Sequence, residues 1–211
     1  DPAAQPLFIF SIGRTGSTLL DSLVRCATPR AISEPDTLTQ LAGAGEPFGK
    51  APAEERRRLL WHSISPFFRT QLDDGGASML SVKMRSQVNG VATDLVDSFP
   101  RARHVFMFRS RREWAKSTFR VFNLPPQRAA GRLLQGVRTY DRLKAAKAEV
   151  VLLWYEDVVA DPKGAVARIL DRKLTPEMDA RMQARRRVST TPCRGLRDCL
   201  PSRFSRLWRE S

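Results

Sequence analysis

The sequence predicts a single α/β domain over residues 1–211, built in three layers around a central parallel sheet. Three observations predict this class. Short apolar segments typical of buried strands alternate along the chain with segments of helical periodicity. Parallel strands require such crossover helices, which cover the sheet on both faces. A chain of 211 residues is also long enough for one sizeable core and short for two domains.

Four strands are predicted from short apolar runs that are bounded by turn residues. The first begins with LFIF and ends in a polar turn, and the others read SMLSVKM, RHVFMFR and EVVLLWYED. The predicted ranges are 7–12, 78–83, 103–108 and 150–154. Ligands of such sheets bind beyond the carboxyl ends of the strands, so we expect the site there.

Helices are predicted between and after these strands from apolar residues that recur on one face. The first follows the polar turn and carries Leu19, Leu20, Leu23 and Val24. The later ones are predicted at 53–72, 89–99, 110–122, 127–147, 161–170 and 175–187. The segments PRAISEPDTL and GAGEPFGKAP are interpreted as connections, and the tail from residue 188 as irregular.

The charge balance favours an anionic partner. Lysine and arginine number 36 against 22 acidic residues, a net charge of +14. A basic surface that is merely solvated is an equally weighted alternative. No apolar run approaches the length of about 18 residues that a membrane span needs, and we expect no membrane span. No secretory leader or glycosylation sequon occurs, so we expect a cytoplasmic setting.

The three cysteines are too few for a disulfide framework. Cys26 lies near the apolar stripe of the first helix and is interpreted as a core residue. Cys193 and Cys199 are close enough in sequence to pair across a short loop, and free thiols are at least as compatible with the sequence.

The turn between the first strand and the first helix has the composition of an anion site. Gly13 and Gly16 allow the backbone to curl around a ligand with its N–H groups directed inward. Arg14 adds a forked charge, and Ser17 and Thr18 add hydroxyl groups at a helix N-terminus. The combination suits a phosphate or sulfate group. The alternative is an ordinary turn before a capped helix.

This turn is not a typical nucleoside-triphosphate loop. That motif has four residues between its glycines and a lysine after the second. Here two residues separate Gly13 from Gly16, and Ser17 stands in place of the lysine. A kinase-like phosphotransferase therefore remains only an alternative. A basic nucleic-acid-binding module is the other, although aromatic residues are few and no such signature appears, so we expect no stable nucleic-acid partner.

The segment GRTGSTLL resembles the phosphosulfate-binding loop of the sulfotransferases, which use 3′-phosphoadenosine-5′-phosphosulfate as donor. Arg14, Gly16, Ser17 and Thr18 match that loop, and Thr15 replaces its first serine. The resemblance implies that these five residues bind the donor. It also implies a hydroxyl-bearing acceptor and the product adenosine-3′,5′-bisphosphate.

Two further segments resemble the same family. VFMFRSRREWAKSTFR is similar to its 3′-phosphate segment, which implies that Arg109 and Ser117 bind that phosphate. VVLLWYEDVVADPKGAVARIL is similar to a later segment, which places Tyr155 beside the adenine. CRGLRD resembles the basic segment that closes over the 3′-phosphate through Arg194 and Gly195, but it lacks the usual second glycine.

The resemblance also points to a glutamate base. Many cytosolic members carry a catalytic histidine two residues after a lysine, whereas here Lys83 is followed by Arg85 at that position. His62 and His104 are interpreted as structural. Glu34 resembles the base of tyrosylprotein, bacterial and carbohydrate sulfotransferases. The alternative is that Glu34 only precedes a helix start.

These residues together predict a transfer mechanism. The acceptor hydroxyl attacks sulfur in line, and Glu34 removes its proton. Lys83 and Arg14 neutralise charge on the sulfuryl oxygens and on the leaving phosphate. A carboxylate near two cations has a lowered pKa and stays ionised. No His/Cys cluster with metal-ligand spacing occurs, so we expect no metal.

Overall fold

The structure is a computed structural model that describes residues 6–28, 30–43, 46–69, 79–146 and 148–190. Its sheet has five parallel strands in the order β2-β3-β1-β4-β5. The strands are β1 (Pro6–Ser11), β2 (Ala31–Ser33), β3 (Leu80–Lys83), β4 (Arg103–Phe108) and β5 (Glu149–Trp154). The predicted α/β class with a parallel sheet is confirmed.

The helices connect the strands and cover both faces of the sheet. They are α1 (Ser17–Ala27), α2 (Asp36–Gly43), α3 (Glu46–Lys50), α4 (Ala53–Arg69), α5 (Ala92–Ser98), α6 (Arg111–Phe122), α7 (Pro126–Ala145), α8 (Tyr155–Ala160), α9 (Pro162–Leu170) and α10 (Pro176–Thr190). A 3₁₀-helix at Ser86–Val91 precedes α5. Pro125 and Pro126 separate α6 from α7, as a proline pair in a helical pattern predicts.

The core lies on both sides of β1, all six residues of which are buried. Phe8 and Phe10 face one side, where they join the core residues of α4, α5 and α7. Leu7 and Ile9 face the other side, where they join those of α1, α9 and α10. Cys26 lies in this second cluster, as expected. A central parallel strand is buried on both faces, which explains its continuous apolar run.

The elements that sequence analysis did not find are short or irregular. β2 and α3 lie within segments that were interpreted as connections, and β2 has only three residues. α2 runs from the end of the first of these segments to the start of the second. The last three residues of EVVLLWYED open α8 instead of extending the fourth strand. Residues 89–91 belong to the 3₁₀-helix, and α10 continues to Thr190, beyond the predicted end. The four predicted strands nevertheless all occur, in the predicted order along the chain.

The topology opens a crevice at one edge of the sheet. The chain leaves β1 through α1 toward β2, whereas it leaves β4 through α6 and α7 toward β5. The connections from these two neighbouring strands therefore diverge, and ligands of open α/β sheets bind at such a point. The residues that follow each strand gather at this carboxyl edge.

His104 lies in β4 away from this edge, paired in register with Phe8, which confirms its structural role. Its ring is buried and stacked on Phe10, with 6.0 Å between ring centroids. Burial lowers the pKa of His104 to about 4. The histidine is therefore neutral in the folded protein at pH values where it is already protonated in the unfolded chain.

We expect the free energy of unfolding to fall by about 2 kcal/mol between pH 7 and pH 5 because the unfolded state binds the extra proton. The loss begins below the ordinary histidine pKa of about 6.5 and is complete below the folded value. Urea unfolding at a series of pH values measures it. His104→Leu should flatten the slope in this window, whereas His62→Leu, a change at an exposed histidine, should not. An equal slope in His104→Leu would contradict the assignment.

Candidate active site

The turn between β1 and α1 forms a tight loop at the carboxyl edge of the sheet. Gly13, Arg14 and Gly16 have positive φ values of 77°, 57° and 88°. The first hydrogen bond of α1 runs from the backbone N–H of Leu20 to the carbonyl oxygen of Gly16 at 3.1 Å. No side chain caps this end of the helix. The first N–H groups of an uncapped helix lack helical partners and carry the positive end of the dipole. The loop can therefore accept an anion.

Tyr155, at the start of α8, packs directly on this loop. A Cβ atom on Gly16 would lie 2.3 Å from Cδ2 of the Tyr155 ring, so only glycine permits this approach. The guanidinium of Arg109 lies over the same ring, 4.4 Å from its centroid. Arg109 and Tyr155 thus form one wall beside the loop.

Helix α6 is attached to the loop through two side-chain hydrogen bonds. Arg14 Nε donates to Ser117 Oγ at 3.2 Å. Trp114, which is buried, donates from Nε1 to the carbonyl oxygen of Gly13 at 2.9 Å. These bonds hold the loop arginine and the α6 serine at the same place.

The hydroxyl groups of the loop differ in their surroundings. Thr15 is fully buried, and its Oγ1 has no hydrogen-bond partner within the described part of the chain. Ser17 Oγ accepts a hydrogen bond of 3.3 Å from Ser11 Oγ. Thr18 is exposed in the first turn of α1. Asn89 donates from Nδ2 to Ser11 O at 3.0 Å and fixes the end of β1.

Glu34 and Lys83 form a second group, at the ends of the adjacent strands β2 and β3. Lys83 is only 4% exposed, and its Nζ donates to Oε1 of Glu34. The backbone N–H of Glu34 donates to Lys83 O at 2.7 Å. The hydrogen bond from Lys83 lowers the pKa of Glu34, although partial desolvation acts in the opposite direction. Glu34 is therefore an ionised carboxylate at neutral pH.

Arg85 holds the other carboxylate oxygen of Glu34. Its Nε donates to Oε2 at 3.1 Å, and its Nη1 lies 3.1 Å from Oδ1 of Asp36. The arginine that stands at the family's histidine position is thus a neighbour of the predicted base. It fixes the orientation of that carboxylate.

Backbone strain marks two residues of the site. Arg14, Glu34, Asn123 and Asp171 have positive φ values among the described non-glycine residues. Asn123 and Asp171 are C-caps of α6 and α9, where the left-handed conformation is common. Arg14 and Glu34 have no such role, and this conformation costs each about 1–2 kcal/mol. Their contacts with Ser117, Lys83 and the backbone must therefore hold them in place.

The comparisons with known proteins agree with this architecture. The sequence model of the sulfotransferase family matches residues 6–174. This chain belongs to the sulfotransferase family.

Two solved sulfotransferases share the fold. Sulfotransferase STF1 from Mycobacterium tuberculosis H37Rv superposes with a TM-score of 0.53 at 15% identity, over 86% of this chain and 71% of that one. The sulfotransferase from Alicyclobacillus acidocaldarius gives 0.50 at 16% identity, over 85% and 90%. Among proteins of curated function, none matches significantly.

The described residues contain neither a membrane-spanning helix nor a metal-binding cluster. None of the helices there is both long and apolar enough to cross a bilayer. The same part of this sulfotransferase has no group of three or more His, Cys, Asp or Glu side chains arranged to hold a metal ion.

Six of the predicted site residues of this sulfotransferase form three contacts at one edge of the sheet. Arg14 meets Ser117, Arg109 meets Tyr155, and Glu34 meets Lys83. Their roles stay predictions. Arg194 and Gly195 lie outside the described residues.

Sequence reasoning missed three residues that support the loop, namely Trp114, Asn89 and Ser86. Ser86 Oγ lies close to Gly13, 3.9 Å from the position of a Cβ there. Trp114 had a usable signal, because it precedes Ser117 by three residues and so shares its helix face. Asn89 and Ser86 follow β3 in the irregular 3₁₀-helix, where no motif predicted them.

Proposed function

We propose that this sulfotransferase transfers a sulfuryl group from 3′-phosphoadenosine-5′-phosphosulfate to an acceptor hydroxyl. The observation that carries the proposal is the Glu34 carboxylate, which accepts hydrogen bonds from Lys83 and Arg85 in a strained backbone conformation at the carboxyl edge. Strain of this kind persists where function requires it. Arg14, the second strained residue, lies in the anion-binding loop of the same edge.

Several features of the loop and its wall suit the donor. The first-turn N–H groups of α1, Arg14, Ser17 and Thr18 would hold the phosphosulfate end. Tyr155 would lie beside the adenine, with Arg109 and Ser117 on the 3′-phosphate. Arg109 Nε is buried without a hydrogen-bond partner among the described residues, as expected of a group that awaits an anionic ligand.

Thr15 would also belong to the donor site, because its buried Oγ1 has no hydrogen-bond partner among the described residues. Arg194 and Gly195 would cover the 3′-phosphate, in keeping with their family segment. The donor site proposed from the sequence therefore includes all of the loop residues from Arg14 to Thr18.

The reaction follows from the second group. The acceptor oxygen bonds to sulfur while the bond from sulfur to the 5′-phosphate oxygen breaks, and adenosine-3′,5′-bisphosphate leaves. Glu34 takes the hydroxyl proton, a contribution of about 10²–10⁴ in rate. The Lys83 ammonium has three N–H groups, of which Glu34 uses one, so the others can neutralise sulfuryl oxygens.

We expect adenosine-3′,5′-bisphosphate to raise the melting temperature of the protein more than ATP with Mg²⁺ does. A ligand at a hundred times its dissociation constant adds about 2.7 kcal/mol. For a chain of this size that corresponds to roughly 5–10 °C. Thermal unfolding with each nucleotide measures the shifts. A larger shift with Mg²⁺ and ATP would contradict the proposal and favour the kinase-like alternative.

A further inference from the structure

Helices α6 and α7 extend beyond the carboxyl edge of the sheet. A Cβ atom on Gly136 would lie 2.0 Å from Cγ2 of Ile12, which follows β1, so α7 crosses the edge at this point. The later residue Tyr140 packs on Phe106 and Phe108 of β4. The ten residues Pro126–Gln135 therefore project past the sheet, by roughly 15 Å at the helical rise.

Residues 116–134, which comprise the end of α6, the turn and the start of α7, form the α6–α7 tip, and this tip exposes large apolar side chains. Phe119 is 40% exposed, Val121 48%, Phe122 48% and Leu134 49%. They come from both helices of the hairpin. Phe119 and Phe122, three residues apart, lie on one face of α6, and a group of large exposed apolar side chains marks an interaction surface more often than ordinary solvent contact.

The same tip is basic. Residues 116–134 include Lys116, Arg120, Arg128 and Arg132 and no acidic residue, a net charge of +4. Within the described part of the chain, only Lys116 of these pairs with a carboxylate, that of Glu113 just outside the tip. The guanidinium of Arg132 lies over the ring of Phe122, 5.4 Å from its centroid. Aromatic and cationic groups are thus interleaved on one surface.

We propose that the α6–α7 tip docks on an anionic lipid surface. A second copy of the chain would bring two basic tips together, and their charges repel. A polyanion in water would pair with the arginines but would leave Phe119, Phe122 and Leu134 in solvent. A lipid interface accommodates both kinds of side chain, because the apolar ones enter the acyl boundary while the cations remain at the anionic headgroups.

Docking of this kind would place the site next to the lipid. Ser117, on the α6 face that bonds to Arg14, lies one residue from the beginning of the tip. An acceptor hydroxyl carried by a membrane amphiphile would then reach the carboxyl edge without leaving the interface. This acceptor class rests on the proposed function, whereas the docking itself does not.

The test uses the full chain and vesicles of phosphatidylcholine with and without phosphatidylserine. We expect binding to the anionic vesicles to be at least about tenfold stronger than binding to neutral ones, because each basic residue near an anionic surface adds to the binding free energy. The double variant Phe119→Ser/Phe122→Ser and the double variant Arg120→Glu/Arg128→Glu should each lower that binding about tenfold or more. Cosedimentation measures the partition coefficients.

Matched controls separate the tip from the general charge of the protein. Phe67 is 39% exposed on α4, and Phe67→Ser should leave vesicle binding unchanged. Arg138 and Arg142 are exposed on the later part of α7, and Arg138→Glu/Arg142→Glu, which removes as much charge as the tip variant, should do the same. Binding of adenosine-3′,5′-bisphosphate by every variant checks that the fold is intact and reports separately on the proposed function.

Four results would overturn the docking proposal. The wild type could fail to bind anionic vesicles, or the control variants could lose as much binding as the tip variants. Alternatively, sedimentation could show a dimer that dissociates in Phe119→Ser/Phe122→Ser, which would assign the tip to contact between copies. Retention of wild-type vesicle binding by both tip variants would count against it equally.

Discussion

Glu34→Gln is expected to lower turnover by about 10²–10⁴ while donor binding stays nearly unchanged. Glutamine keeps the shape of the side chain, but its single carbonyl oxygen can accept a hydrogen bond from only one of Lys83 and Arg85, and it cannot take a proton. Glu34 lies with Lys83 at the β2 and β3 ends, whereas the proposed adenosine contacts lie at Tyr155 and Arg109. Release of adenosine-3′,5′-bisphosphate during transfer measures turnover.

Asp36→Asn is the matched control for this variant. Asp36 also pairs with Arg85, but it is more exposed and does not contact Lys83. Its amide should leave turnover close to the wild-type value. Near-normal turnover in Glu34→Gln would mean that Glu34 only orients Lys83 and that another group removes the proton.

The pH dependence of wild-type turnover gives the same test a second readout. The hydrogen bond from Lys83 holds the pKa of Glu34 below its ordinary value. The base therefore stays ionised as pH falls, and activity should begin to decline only below the ordinary glutamate pKa of about 4.3. The expected decline reflects protonation of Glu34, so the residual rate of Glu34→Gln should not show it.

The sequence predicted the fold because its central strands have strong local signals. β1 and β4 are buried over their whole length and each contains a run of four apolar residues, and a parallel sheet requires such runs. β2 could not be predicted, because three residues at the sheet edge are too few for a pattern. Its pairing with β3 is what makes it a strand.

The loop residues of the site could also be predicted, because a contiguous motif carries them from Arg14 to Thr18. The contacts between the other site residues were harder to predict from the sequence. The contacts of Glu34 with Lys83 and Arg85 join positions about fifty residues apart in sequence. They depend on the register of β2 against β3, which local periodicity does not encode.

The central claim is a donor with a 3′-phosphate, and Arg109→Ala tests it most directly. The change removes a guanidinium beside the loop whose buried Nε has no hydrogen-bond partner among the residues that the structure describes. We expect the affinity for adenosine-3′,5′-bisphosphate to fall roughly tenfold to a hundredfold, the effect of losing charged hydrogen bonds to one phosphate. Adenosine-5′-phosphate should lose no more than about fivefold, through the weakened contact with Tyr155.

Calorimetric titration of both nucleotides into the wild type, Arg109→Ala and Arg138→Ala measures these differences. Arg138 is an exposed arginine on α7, and its removal should change neither affinity. The account predicts that Arg109→Ala loses affinity for the bisphosphate selectively. Equal losses for the two nucleotides, or a wild type that does not distinguish them, would contradict it.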